Sequence, residues 1–273
     1  MELLQQPIWR FYDQSLSALT QSPLTSFAAD DTLCELVGQQ LSPPTVRTWV
    51  HQASVVLGIQ DHRLPHIHEA MAQLAMNGYH PIVRNSGGLA VVLDEGILNV
   101  SLVFSERTQT LSIDDGYEAM LAFVRLLFPE TQAIKAYEIV GSYCPGSYDL
   151  SINGQKFAGI SQRRLRDGVA VQIYLCVEGS GSERAKMIQQ FYETGLQNET
   201  TRFTYPVIQP EVMASLNELL GQTLTVQDVV VRIQQLLMTT SEVQLRPFND
   251  VENERYLFYL QRVLTRNEKM LAK

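Results

Sequence analysis

Apolar positions along the chain change period several times, and each change marks an element. Ile67, Met71, Leu74 and Ala75 share one helical face within residues 65–77, and Gly78 closes the run. Residues 81–84, 89–93 and 98–104 read instead as strands, separated by the turns Asn85-Ser86-Gly87-Gly88 and Asp94-Glu95-Gly96. A helix starts at Asp114-Asp115 and runs to Phe128, with Met120, Leu121, Phe123, Val124 and Leu127 forming a wide apolar face. Arg166-Asp167-Gly168 turns the chain into a buried strand over 169–177. The last third returns to helical period over 182–196, 210–220, 225–238 (Thr225 as N-cap) and 250–271.

Helices and strands are interleaved with hairpins rather than strictly alternating. The pattern therefore predicts an α+β fold: a mixed, largely antiparallel sheet flanked by helices, with a helical C-terminal extension. Residues 1–42 read as an N-terminal arm, loop-like over 21–29, with Pro43-Pro44 as the break before the compact region. Residues 43–248 form the main domain and 249–273 a C-terminal helix.

The densest chemistry lies in residues 142–164. Cys144 sits in a Pro-Gly loop, and the chain then turns back at Asn153-Gly154. An Asn-Gly pair between alternating apolar residues is a strong hairpin signal, because both positions of the turn need positive φ. A two-residue turn sets Ser151 opposite Lys156 and Asp149 opposite Ala158, so these four share one face of the ribbon. Leu150, Ile152, Gln155 and Phe157 share the other. The hairpin thus returns an ammonium group toward the strand that leaves the thiol. A free thiol has a pKa of about 8.5, and a cation within about 4–6 Å moves such a value by about 1–3 units toward the anion. The plainer readings are a small buried hydrophobe for the cysteine and a solvated strand residue for the lysine.

Composition bounds the rest. The 273 residues are 45% apolar and 18% charged, with a formal net charge of -8, which argues against nucleic acid or an anionic membrane as main partner. Arg163, Arg164 and Arg166 still supply a local basic patch. Three cysteines (Cys34, Cys144, Cys176) cannot make an even disulfide framework, and no stretch has the length and apolarity of a membrane span or a signal peptide. A cytoplasmic protein is expected. Cys34 and Cys176 read as structural. His62, His66 and His68 read as surface histidines rather than metal ligands, since positions two apart on a helix face different ways. Gly179-Ser-Gly-Ser182 ahead of a helix hints at an anion site, with a flexible turn as the plainer reading.

At Arg84-Asn-Ser-Gly-Gly-Leu-Ala-Val-Val and at residues 144–164 the chain resembles the lipoate-ligase and biotin-ligase superfamily. More closely, it is similar to octanoyltransferases that move octanoyl groups from the glycine cleavage H protein to lipoyl domains. The resemblance covers roughly residues 43–248, including Val56-Leu-Gly-Ile-Gln-Asp61. It implies the biotin/lipoate protein ligase catalytic fold, an acyl-thioester on Cys144, and a Lys156 that lowers the pKa of that thiol. It places Arg84, Ser86, Gly87, Gly88 and Gly159 at the acyl group, where glycines let backbone approach a ligand. It also implies the glycine cleavage H protein as donor and lipoyl domains of 2-oxoacid dehydrogenase complexes as acceptors. Lipoate ligases tend to carry His-Asp where this chain has Leu93-Asp94, and they lack a cysteine matching Cys144. Both departures favour transfer without nucleotide activation, so no cofactor is expected. The alternatives are an octanoyl-acyl carrier protein donor, an ATP-dependent lipoate ligase, and an acyl-binding relative without turnover.

Overall fold

The computed structural model describes residues 2–84, 87–107 and 110–271. Its large sheet is built from β1 (Ile8–Gln14), β2 (Thr45–Trp49), β6 (Ile97–Ser105), β7 (Lys135–Ala136), β8 (Asp149–Ile152), β9 (Gln155–Leu165), β10 (Gly168–Cys176) and β11 (Glu242–Leu245). The strand order is β11-β1-β2-β6-β10-β9-β8-β7. Only the β11–β1 and β1–β2 pairs are parallel; from β2 to β7 every pair is antiparallel. A second sheet of β3 (Ser54–Leu57), β4 (His80–Val83) and β5 (Val91–Leu93) has β3 in the middle.

Alternation along β6 and β10 divides the molecule into layers. Leu98, Val100, Leu102 and Phe104, with Val169, Val171, Ile173 and Leu175, point into a core covered by α3 (Ile113–Leu127) and α6 (Val226–Thr240). The opposite face carries α1 (Pro23–Gly38) over Val103 and Ala170. Beside α1, the small sheet joins α2 (Ile67–Met76) and α4 (Gly181–Leu196) in a second core. The expected α+β architecture, with its largely antiparallel sheet, flanking helices and C-terminal helix, is what the chain forms.

Several elements differ from the sequence pattern. The stretch read as an arm contributes β1, an inner strand of the sheet, and α1, a helix of 16 residues spanning most of the segment expected as loop. Both were masked by buried polar groups: Arg10 pairs with Glu252 at 2.9 Å, and Asp30 of α1 pairs with Arg47 at 2.9 Å. Trp49 ends β2 in the large sheet, and Ser54 begins β3 in the small one. The helix expected over 210–220 is a short 3-10 turn followed by α5 (Leu216–Leu220), because the backbone at Met213-Ala214 instead pairs with Lys156. The C-terminal helix, α7 (Asp250–Leu271), packs along α1, with Tyr259 donating to Glu35 at 2.5 Å, and reaches β4, where Asn267 accepts from the N–H of Val83 at 2.9 Å.

The hairpin register is also corrected. Asn153 and Gly154 take positive φ (53° and 81°), and Ser151 does pair with Lys156. The ladder then slips by one residue, so Leu150 faces Ala158 and Asp149 faces Gly159. The extra residue, Phe157, lies with Ala158 in the main core. Bulges of this kind re-aim side chains near functional sites. Lys156 and Gly159 are an odd number of positions apart, yet both line the same cavity.

Candidate active site

A cavity of about 360 Å³ opens between the two sheets, within the range of small-molecule sites. Trp49, Ile173 and Tyr174 of the large sheet, Val56, Val91 and Leu93 of the small one, and Phe27 of α1 give it a mainly apolar lining. At one part of this lining stand Cys144, Arg84, Gly87, Gly88, Lys156 and Gly159. Six of the seven residues predicted for the site are therefore brought together across the two sheets. The seventh, Ser86, lies outside the described residues.

Cys144 is half-buried in the loop before β8 and adopts φ +44°, a left-handed conformation that a non-glycine residue holds only when its surroundings enforce it. Its sulfur accepts from the backbone N–H of Leu89 at 3.3 Å and faces the Arg84 guanidinium at 3.7 Å. The Arg84 Nη2 that faces the sulfur also donates to the Leu89 carbonyl at 2.7 Å. Gly88 has a steric reason: at φ +94°, a Cβ there would fall 2.2 Å from the guanidinium and 3.3 Å from the sulfur. At Gly159 a Cβ would make only ordinary contact with Lys156 and Asp149, so this glycine leaves room rather than relieving a clash.

Lys156 is at the site as expected, but its hydrogen bonds go elsewhere than the sulfur. The ammonium, only 2% exposed, donates to the carbonyl oxygens of Tyr143 (2.9 Å) and Cys144 (3.0 Å) and to the Ser142 hydroxyl (3.2 Å). It also pairs with the Asp149 carboxylate at 2.9 Å. The cation bonded to the sulfur is Arg84, a residue 60 positions earlier. Burial pushes the Asp149 carboxyl up from its ordinary range, while Lys156 pulls it down.

Beneath the glycine loop, Asp61 is fully buried, accepting from the Gly58 N–H at 2.7 Å and the Tyr192 hydroxyl at 2.8 Å. Burial raises its pKa to about 6. Gly58 in turn packs on the Gly88 carbonyl, where a Cβ would come within 1.9 Å. Asp149 as the partner of Lys156, Asp61, and the Leu89 N–H are the parts that sequence reasoning did not assign. Asp149 left one signal, as the acid expected on the lysine's face of the hairpin. A backbone donor leaves none.

The remaining candidates fall away from the cavity. Cys34 and Cys176 are buried, and Cys176 accepts from Arg184 at 3.0 Å. The basic patch is neutralised in part, Arg163 by Asp31 and Arg164 by Glu106, each at 2.6 Å. At the start of α4 the Gly181 N–H is already met by the Glu218 carboxylate at 3.1 Å. His66 pairs with Glu199 at 2.9 Å. Among the described residues no helix is long and apolar enough to cross a membrane.

Residues 22–237 match the lipoyl protein ligase A/B catalytic domain family. The chain is 67% identical over 273 residues to an octanoyl-[GcvH]:protein N-octanoyltransferase of Lysinibacillus sphaericus, covering 99% of this chain and 98% of the relative. Its counterpart of the same name in Staphylococcus aureus is 51% identical, over 96% of this chain and 94% of the relative. Among solved structures, a lipoate protein ligase from T. acidophilum with bound lipoic acid superposes with a TM-score of 0.67 at 14% identity, covering 94% and 95% of the two chains. Lipoate-protein ligase A bound with ATP gives the same TM-score at 16% identity over 94% and 95%, a likeness of fold. The chain belongs to the lipoyl protein ligase A/B catalytic domain family, among the octanoyl-[GcvH]:protein N-octanoyltransferases.

Proposed function

We propose that the protein takes an octanoyl group from a lysine of the glycine cleavage H protein, holds it as a thioester on Cys144, and passes it to a lysine of a lipoyl domain. The observation that carries this reading is the surroundings of Cys144: a mainly apolar cavity, an N–H and a guanidinium on the sulfur, and a buried lysine against its loop. The apolar walls suit an eight-carbon chain. Arg84 and the Leu89 N–H favour negative charge on the sulfur, and once the sulfur bonds to carbon they stand beside the carbonyl oxygen that becomes negative. Gly87 and Gly159 leave space for that carbonyl.

The protons balance around Lys156. In the first half, the Cys144 thiolate forms the S–C bond while the C–N bond of the octanoyl amide breaks. Lys156 gives a proton to the departing amine, which leaves badly otherwise. In the second half, the acceptor amine forms the new C–N bond, the thiolate leaves, and Lys156 recovers its proton. An amide is exchanged for an amide, so the reaction requires no nucleotide. It belongs in the cytoplasm, where a thiol stays reduced.

The test is octanoylated H protein mixed with an unmodified lipoyl domain and no nucleotide. Octanoyl should move to the lipoyl domain and appear transiently on Cys144 in intact-mass spectra. Cys144→Ser should abolish transfer, and normal turnover in that variant would end the thioester reading. Octanoyl carrier protein offered in parallel identifies the donor by which of the two loses its label.

A further inference from the structure

The geometry points to Asp149 as the positioning residue that keeps the Lys156 ammonium in place for both the Cys144 loop and the departing amine. This assignment rests on the thioester reading above and deepens it. Asp149 is 1% exposed, and each of its polar groups is used. Oδ1 accepts from Lys156 at 2.9 Å, and Oδ2 accepts from the Ile139 N–H at 3.1 Å and the Ser142 hydroxyl at 3.5 Å. Its own N–H donates to Gly146 at 3.1 Å, and its carbonyl accepts from Tyr137 at 3.1 Å. One residue therefore ties down the chain before Cys144, the chain after it, and the cation beside it.

Lys156 has Asp149 as its ion-pair partner; the other acceptors on its ammonium are neutral. A buried ammonium without a counter-charge favours its neutral form, and a neutral amine has no proton to give. The arrangement follows the logic of a nucleophile and an acid–base group oriented by a third residue. In the first half-reaction Nζ loses a proton to the leaving nitrogen, and in the second it regains one from the attacking amine. The Asp149 carboxylate stays ionised throughout and forms no bond to the acyl group. Asp149 stands opposite Gly159 in the ladder, and its carboxylate meets the Lys156 ammonium beside that glycine on the cavity lining.

Two octanoyl donors separate this role from simple support of the loop. Octanoylated H protein releases an amine, which needs a proton. Octanoyl-N-acetylcysteamine releases a thiolate, which does not. The rate of Cys144 acylation by each is read from intact mass. Asp149→Asn should slow acylation by the amide donor by about 100-fold, the lower range for a lost acid–base contribution, and acylation by the thioester by less than about tenfold. Asp149→Glu keeps the charge on a longer arm and covers the case in which the neutral variant does not fold; its loss should be smaller and again larger for the amide donor. Equal losses on both donors, or no loss on either, overturn the assignment. A wild-type protein that never carries octanoyl on Cys144 would instead overturn the thioester reading itself.

Discussion

Gly88 shows how closely the site is fitted around one sulfur. Its missing Cβ leaves space that the Arg84 guanidinium fills, and its φ of +94° disfavours any side chain. Gly88→Ala should therefore act twice. The backbone penalty is about 1–2 kcal/mol, visible as a lowered urea midpoint. The guanidinium, at the end of a flexible arm, should swing off the sulfur, and a displacement of that size lowers kcat/KM by about 100-fold. A variant with unchanged kcat/KM would mean that the contact between Arg84 and the sulfur has no part in turnover. At this scale the sequence was informative where chemistry is local. Cys144, Lys156 and the Asn153-Gly154 turn lie within a dozen residues of one another, and Arg84–Gly88 was found through the family resemblance. That Arg84, and not Lys156, bonds the sulfur was not readable, because nothing local relates positions 60 apart.

Among the elements, α7 reaches furthest toward the chemistry without touching it. Asn267 accepts from the N–H of Val83, the last residue of β4 before Arg84. Asn267→Ala leaves that buried donor unmatched and should lower stability by about 1–3 kcal/mol, measured by urea titration with an unchanged m-value. Helices with one apolar face were legible. Ser112 and Thr225 cap α3 and α6 with reciprocal bonds from Asp115 and Asp228; α6 begins where Thr225 signals it, and α3 begins at Ile113, just ahead of the Asp114-Asp115 start read from the sequence. Elements that bury charge were not. β1 carries Arg10 inward to Glu252, and α1 carries Asp30 and Asp31 inward to Arg47 and Arg163, so apolar periodicity misses both. The hairpin slip escaped for a different reason: turn chemistry fixes the first pair of a ladder and says nothing of a bulge further along.

For the whole molecule, two buried titrating groups oppose each other on acidification. His51 is fully buried; its Nδ1 donates to the Gln21 carbonyl, which leaves Nε2 to accept from the Ser26 hydroxyl. Its pKa is lowered to about 4 by burial and by Arg47. Between about pH 6.5 and 4 the unfolded chain binds a proton there that the folded chain refuses, so stability falls by about 3 kcal/mol. Asp61, raised to about 6, does the reverse. Its contribution is full below the unfolded value near 4 and is lost as pH rises through about 6, again about 3 kcal/mol. Their sum should be nearly flat across this range. Compared by urea titration at about pH 7 and about pH 4.5, Asp61→Asn should steepen the acid loss relative to wild type, and His51→Gln should turn it into a gain. The overall architecture was legible from the mixture of hairpins and helices. The division into two sheets with a cavity between them was not, because apolar alternation marks strands without saying which of them pair.

The two donors on the Cys144 sulfur come from the loop joining β4 to β5, while the cysteine itself precedes a strand of the other sheet. Among the described residues no backbone ladder links the two sheets, so the thiol acquires its neighbours only when they dock. A chain caught with one sheet formed and the other loose would label like a cysteine in a peptide. The time course of thiol labelling during refolding should therefore report the last assembly step rather than the first.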